Sequence, residues 1–140
     1  MKREQTYKCH KICSGRAEGK TLVSEDDICF YLADPKSGKI IEKNHALKGK
    51  SVAGRILIFP SGKGSSVVQG DGLYMLKKHG TAPKAMIIQH PDTVLVTGAI
   101  IMKIPLVDGV EKRFYDEVED GDFVRVDADQ GLITLIKRED

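Results

Sequence analysis

At 140 residues, with 41% hydrophobic and 30% charged residues, the chain is long enough to bury a core without disulfide or metal staples. Its 22 basic and 20 acidic residues leave a formal charge of +2, and neither the basic run at the start nor the acidic run from Asp116 to Asp122 carries the interleaved aromatics that phosphate-backbone binding uses, which disfavours nucleic acid as a partner. No stretch approaches the ~20 apolar residues of a membrane span, and an odd set of cysteines (Cys9, Cys13, Cys29) behind an opening without an apolar signal core points to the cytoplasm.

In chain order, residues 6–13 alternate loosely and are expected to form one strand, after which 14–20 read as a polar, glycine-containing loop. Residues 22–23 and 28–32 are short strand candidates. Asp34-Pro35-Lys36-Ser37-Gly38 is a turn on proline and glycine chemistry leading into Ile40-Ile41, and 44–51 is a loop. The character then changes. Ile56-Leu57-Ile58-Phe59 reads as a strand buried on both faces, ended abruptly by Pro60-Ser61-Gly62-Lys63-Gly64. A helix over 65–78 follows, with Ser65 or Ser66 at its N-cap and Val67, Val68, Leu73, Met75 and Leu76 as its apolar stripe. Gly80 and Pro83 stop it, and 85–88 form a second buried strand, which completes a βαβ unit and requires a parallel, covered sheet. Pro91-Asp92 open a helix over 93–102, although Val94, Val96 and Ile100 would suit a strand as well; 104–107 are a short third strand, and 122–126 and 132–137 form a hairpin with Gly131 supplying a positive φ. The sum is an α/β chain, a single domain over 1–140 with a parallel βαβ core beside a layer of short strands.

Gly49-Lys50-Ser51 does not complete a phosphate-binding P-loop, because Asn44 stands where its first glycine belongs. Cys9 and Cys13 lack the tight spacing and the further ligands of a zinc site, so the three cysteines read as small apolar residues, and His45, His79 and His90 as turn residues. The informative stretch is Gly62-Lys63-Gly64-Ser65-Ser66. A buried strand that turns through glycines into a helix sets hydroxyls and free N–H groups at the positive end of a helix dipole, where an anion or a developing negative charge is stabilised. One reading of Ser65 and Ser66 is an N-cap; the other is a hydroxyl acting as base or anion ligand, with Gly62 and Gly64 admitting close approach and Lys63 adding charge. No His/Asp partner accompanies the serine, which disfavours a hydrolase triad.

At these residues a resemblance enters. Gly15-Arg16-Ala17-Glu18-Gly19, Asp34-Pro35-Lys36-Ser37-Gly38, His45 through Gly49-Lys50-Ser51-Val52-Ala53-Gly54, Pro60-Ser61-Gly62-Lys63-Gly64-Ser65-Ser66, Gly80-Thr81-Ala82-Pro83 and Gly98-Ala99-Ile100 through Ile104-Pro105 resemble, in that order, the small subunits of the aconitase X family. The resemblance implies a swivelling β/β/α three-layer domain like the mobile last domain of aconitase. It also implies a separate large subunit that carries a [4Fe-4S] cluster, this chain binding no metal itself. In the archaeal branch the implied reaction is dehydration of 5-phosphomevalonate, a small phosphorylated hydroxy acid, to trans-anhydromevalonate 5-phosphate in a mevalonate route to isoprenoids. Ser65 matches the serine that takes the proton, while the cluster iron acts as Lewis acid on the departing hydroxyl. Val67 stands where classical aconitases carry an arginine after the two serines, which leaves Lys63, Arg55 or a large-subunit residue to replace it. Two alternatives stay open: a subunit of a related hydroxy-acid or hydroxyproline dehydratase, and a non-catalytic anion-binding docking module.

Overall fold

The structure, a computed structural model, describes residues 2–138; Met1, Glu139 and Asp140 of the expected domain lie outside the described residues. Strand β1 (Lys2–Lys8) is followed by β2 (His10–Cys13), β3 (Arg16–Val23) and a 3₁₀ turn at Phe30–Leu32. The second half holds β4 (Ile56–Phe59), α1 (Ser66–His79), β5 (Ala85–Ile88), α2 (Thr93–Met102), β6 (Leu106–Asp108), α3 (Lys112–Glu117), β7 (Phe123–Asp127) and β8 (Leu132–Arg138). Eight strands hydrogen-bond in the order β1-β8-β7-β3-β4-β5-β6-β2.

Strand β3 joins two halves of that sheet. Its first residues, Arg16 to Lys20, pair antiparallel with β7, and its last, Thr21 to Val23, pair parallel with β4. The parallel half continues through β5 to β6, with β2 antiparallel on its edge. The antiparallel half stacks on one face of the parallel half, enclosing Tyr7, Ile56, Ile58, Ile87, Phe114, Val126 and Ile133. Helices α1 and α2 cover the other face, enclosing Leu57, Phe59, Met86, Ile88, Leu73 and Leu95. Alternate residues of β4 and β5 therefore point into opposite cores, which is why both strands read as unbroken apolar runs. The expected β/β/α layering is present.

Three local expectations are corrected. Residues 6–13 are not one strand: the chain leaves β8 after Lys8 and joins β6 at His10, crossing at Cys9, whose N–H donates to the Gly131 carbonyl at 2.9 Å. Residues 14–20 are mostly strand rather than loop, because Gly19 marks a close approach and not a turn. A Cβ there would stand 3.3 Å from the Gly54 carbonyl oxygen. Residues 30–32 form the 3₁₀ turn instead of a strand, with Phe30 fully buried under α1. Among the described residues no helix is long and apolar enough to cross a membrane.

Candidate functional site

The loop that leaves β4 is fixed from both sides. Ile28 donates its N–H to the Ser61 carbonyl at 3.1 Å and accepts from the Lys63 N–H at 3.2 Å, so a short extended segment lies alongside the loop. That segment is clamped in turn by Gln69, a fully buried side chain on α1. Its Nε2 donates to the Ile28 carbonyl at 3.0 Å, and its Oε1 accepts from the Phe30 N–H at 2.7 Å. Sequence reading missed this clamp, placing Val67 in the buried stripe of α1. The structure buries Gln69, Gly72, Leu73 and Leu76 there and leaves Val67 76% exposed.

The glycines serve different ends. A Cβ on Gly62 would stand 2.8 Å from Gln69 Nε2, 2.9 Å from Leu95 Cβ and 3.0 Å from Asp92 Oδ2, so this glycine lets the loop pass between the starts of α1 and α2. Gly64 has φ 105°, a backbone shape that favours glycine, and it turns the chain out toward Ser65.

Ser65 is the N-cap of α1, with φ −72° and ψ 165°, and its Oγ accepts from the Val68 N–H at a long 3.4 Å. Its carbonyl accepts the first intrahelical bond, from the Gln69 N–H at 3.0 Å. The side chain is exposed, as is that of Ser66, and the N–H groups of Ser66 and Val67 have no acceptor among the described residues. Capping and chemistry are therefore compatible in one hydroxyl. The weak capping bond holds Oγ at the mouth of the helix, and the unpaired N–H groups beside it favour negative charge.

The cations are arranged differently from expectation. Lys63 Nζ meets Glu42 Oε2 at 2.6 Å, so its charge is already neutralised by a carboxylate rather than aimed at Ser65. Arg55 precedes β4 while Ser65 follows it, and the Arg55 guanidinium donates to the carbonyls of Lys20 and Thr21. The other end of the strand is thus its place, and Arg55 is removed as a stand-in for the missing arginine. Exposed apolar side chains lie on the elements that carry or adjoin the loop: Val67 in the first turn of α1, Tyr31 in the 3₁₀ turn and Ile41 next to Glu42.

The cysteines and histidines do not converge here. Burial pushes the Cys9 thiol up to about 11 and raises that of Cys13, which keeps both protonated near neutral pH in the free chain. Cys29 is buried against the loop, its Sγ 3.0 Å from where a Gly64 Cβ would be. His45 is buried in its turn, Nε2 against the Asp27 carbonyl and Nδ1 accepting from the Leu47 N–H, both at 2.9 Å. Among the described residues no group of three or more His, Cys, Asp or Glu side chains is disposed to hold a metal ion. The described residues thus offer no ligand set that fits a [4Fe-4S] cluster.

The fold and site together are a three-layer β/β/α domain with an exposed helix-capping serine beyond the end of a buried parallel strand, the layering of a swivel-type domain. Comparison with known proteins makes this specific. The aconitase X swivel domain model matches residues 6–135, and the chain belongs to that family. It is 47% identical to the phosphomevalonate dehydratase small subunit of Methanosarcina acetivorans, over 90% of this chain and 88% of that one. It is 49% identical to the protein of the same name from Methanocella arvoryzae, over 91% and 97%. The crystal structure of Thermococcus kodakaraensis aconitase X in its holo-form matches with a TM-score of 0.86 at 41% identity, covering 95% of this chain and 99% of that chain.

Proposed function

We propose that residues 1–140 act as one swivelling unit, the small subunit of a heteromeric hydro-lyase that dehydrates 5-phosphomevalonate to trans-anhydromevalonate 5-phosphate. The substrate comes from the names of relatives that this chain matches over nine-tenths of its length. The observation that carries the catalytic role is the geometry of Ser65: an exposed hydroxyl, weakly engaged as a cap, at a helix mouth with unpaired N–H groups.

Dehydration breaks a C–H bond beside the carboxylate and the C–O bond of the neighbouring hydroxyl, forms a C=C bond, and releases water. Ser65 Oγ takes the proton. A serine hydroxyl is a feeble base in water, so the site must stabilise its alkoxide, and the α1 N-terminus does so with its dipole and with the N–H groups of Ser66 and Val67. Gly62 and Gly64 shape the loop, Ser66 adds a second hydroxyl at the substrate, and Lys63 becomes available to an anionic group if Glu42 releases it. The [4Fe-4S] cluster belongs to the large subunit in this reading. Val67, Tyr31 and Ile41 give that subunit an apolar rim to cover when it closes over Ser65. We place the assembly in the cytoplasm, where three free thiols stay reduced.

Mixing this chain with its large subunit without oxygen is expected to produce turnover of 5-phosphomevalonate that neither chain shows alone. A reconstituted pair that leaves 5-phosphomevalonate untouched but dehydrates hydroxyproline would replace the substrate. A pair that assembles and dehydrates neither would leave the anion-binding module.

A further inference from the structure

A strongly cationic groove lies far from Ser65, at the other pole of the parallel sheet. It has a volume of about 770 Å³, and Arg16, Lys77, Lys84 and Lys103 line it against one carboxylate, Glu18. Topology fixes its place. Gly15 leads into β3, Gly80 to Lys84 lead into β5, and Lys103 to Pro105 lead into β6, so the lining gathers at the starts of the parallel strands. Ser65 follows the end of β4, at the opposite pole of the same sheet.

Several stretches that carry the family resemblance meet here and have no part in the Ser65 loop: Gly15 to Glu18, Gly80 with Ala82 and Pro83, and Pro105. They make the floor. A Cβ on Gly15 would stand 2.7 Å from Pro105 Cγ, so the entry of β3 lies directly on the entry of β6.

The charges above that floor are mostly unspent. Arg16 pairs with Asp127 at 3.4 Å. Lys77, Lys84 and Lys103 are exposed, and none forms an ion pair with a described residue; Lys84 reaches only the Glu18 carbonyl, at 3.4 Å. Helix dipoles account for part of this, since Lys77 is in the last turn of α1 and Lys103 caps α2. They do not account for Lys84, which is on no helix. They also do not account for the backbone of Lys103, held at φ 57° and ψ 44°, where glycine would sit without strain. A lysine kept where glycine would cost the fold less is what a use outside the fold would select.

We infer that this groove receives an acidic segment of the large subunit, gripping the domain at the pole opposite Ser65. The identity of the partner rests on the function proposed above; the acidic character rests on the groove. Exposed lysines hold a free small anion only through screened attraction, whereas a polypeptide that covers them excludes water and strengthens every charge pair. The contact also has a use. The Ser65 pole must part from the large subunit to admit substrate, and a grip at the far pole persists while it does.

The test measures the affinity of the reconstituted pair at low and high salt with Lys77→Glu/Lys84→Glu/Lys103→Glu and, separately, with Lys103→Gly. The triple variant is expected to raise Kd by about tenfold or more and to flatten its salt dependence, with kcat at saturating small subunit unchanged. Lys103→Gly is expected to raise the Tm of the isolated chain while weakening assembly, which a purely structural lysine would not do. Wild-type turnover together with a triple-variant Kd within about twofold of wild type would overturn the grip and leave the proposed function standing. Failure of the wild-type chains to associate would overturn both. Saturable binding of inorganic pyrophosphate to the groove, with subunit affinity unaffected by the triple variant, would reassign it to a small anion.

Discussion

Replacing Gln69 by leucine isolates the device that holds the Ser65 loop in place. Gln69 is fully buried and makes two bonds to the adjacent segment, at 2.7 Å to the Phe30 N–H and 3.0 Å to the Ile28 carbonyl. Leucine nearly preserves its volume and removes both. The Ile28 carbonyl keeps the Lys63 N–H, but the Phe30 N–H, in a fully buried residue, loses its acceptor. An orphaned buried donor costs about 1–3 kcal/mol and the second lost bond about 1 kcal/mol, so the loss is about 2–4 kcal/mol. Against a total stability of about 5–15 kcal/mol this is large. Urea unfolding of the isolated chain, followed by circular dichroism, should show a lower midpoint with unchanged slope, and amide exchange at Lys63 should quicken. A loss below about 0.5 kcal/mol would mean that the segment is held by something other than this amide.

Other expectations test separate parts of the account. A Cβ on Gly72 would overlap the Tyr31 nitrogen and the Phe30 carbonyl, so Gly72→Ala should destabilise by about 1–3 kcal/mol or more in the same unfolding assay. Tyr7 is fully buried with its ring edge-on to Phe114 at 5.4 Å, yet its hydroxyl has no hydrogen-bond partner among the described residues. Tyr7→Phe keeps the ring and should leave stability unchanged or raise it by about 1 kcal/mol, whereas a loss of that size would show a hidden partner. The Ser37 hydroxyl donates to Asp34 at 2.7 Å and, with backbone N–H groups, holds that carboxyl below its ordinary value. A depressed carboxyl stabilises the fold above its ordinary pKa, and the contribution is lost as pH falls through the folded pKa. Ser37→Ala should therefore raise the Asp34 midpoint toward 3.8 in an NMR titration; an unmoved midpoint would assign the effect to the backbone alone.

How much of this was legible depended on whether a segment's structure is set locally. Strands β4 and β5 and helix α2 lie where apolar runs and turn residues place them, because their cores flank them on both faces and Asp92 caps α2 through the Leu95 N–H at 3.2 Å. Helix α1 runs over Ser66–His79, close to the expected 65–78, with Ser65, one of the two expected candidates, as its N-cap. Segments whose shape is set by distant partners were misread. Gly19 resembles a loop glycine until Gly54 is seen against it, and Phe30 resembles a strand residue until Gln69 and Gly72 draw it under α1. Helix α3 was missed because it is only six residues long and has no side-chain cap. At the site, the loop and its serine were legible from glycine and serine spacing, but the engagement of Lys63 by Glu42, far apart in sequence, was not. Nor was the far-pole groove, which gathers lysines from α1, the β5 entry and the α2 cap.

The central claim is that the Ser65 hydroxyl takes the proton. Ser65→Ala, assembled with the large subunit, should bind substrate with near-normal affinity and retain the wild-type subunit Kd, while kcat falls by at least about a thousandfold. Because the capping bond is long, the isolated variant should lose only about 0.5–1 kcal/mol of stability. Wild-type kcat in that assembled variant would contradict the account and leave Ser65 as a helix cap alone.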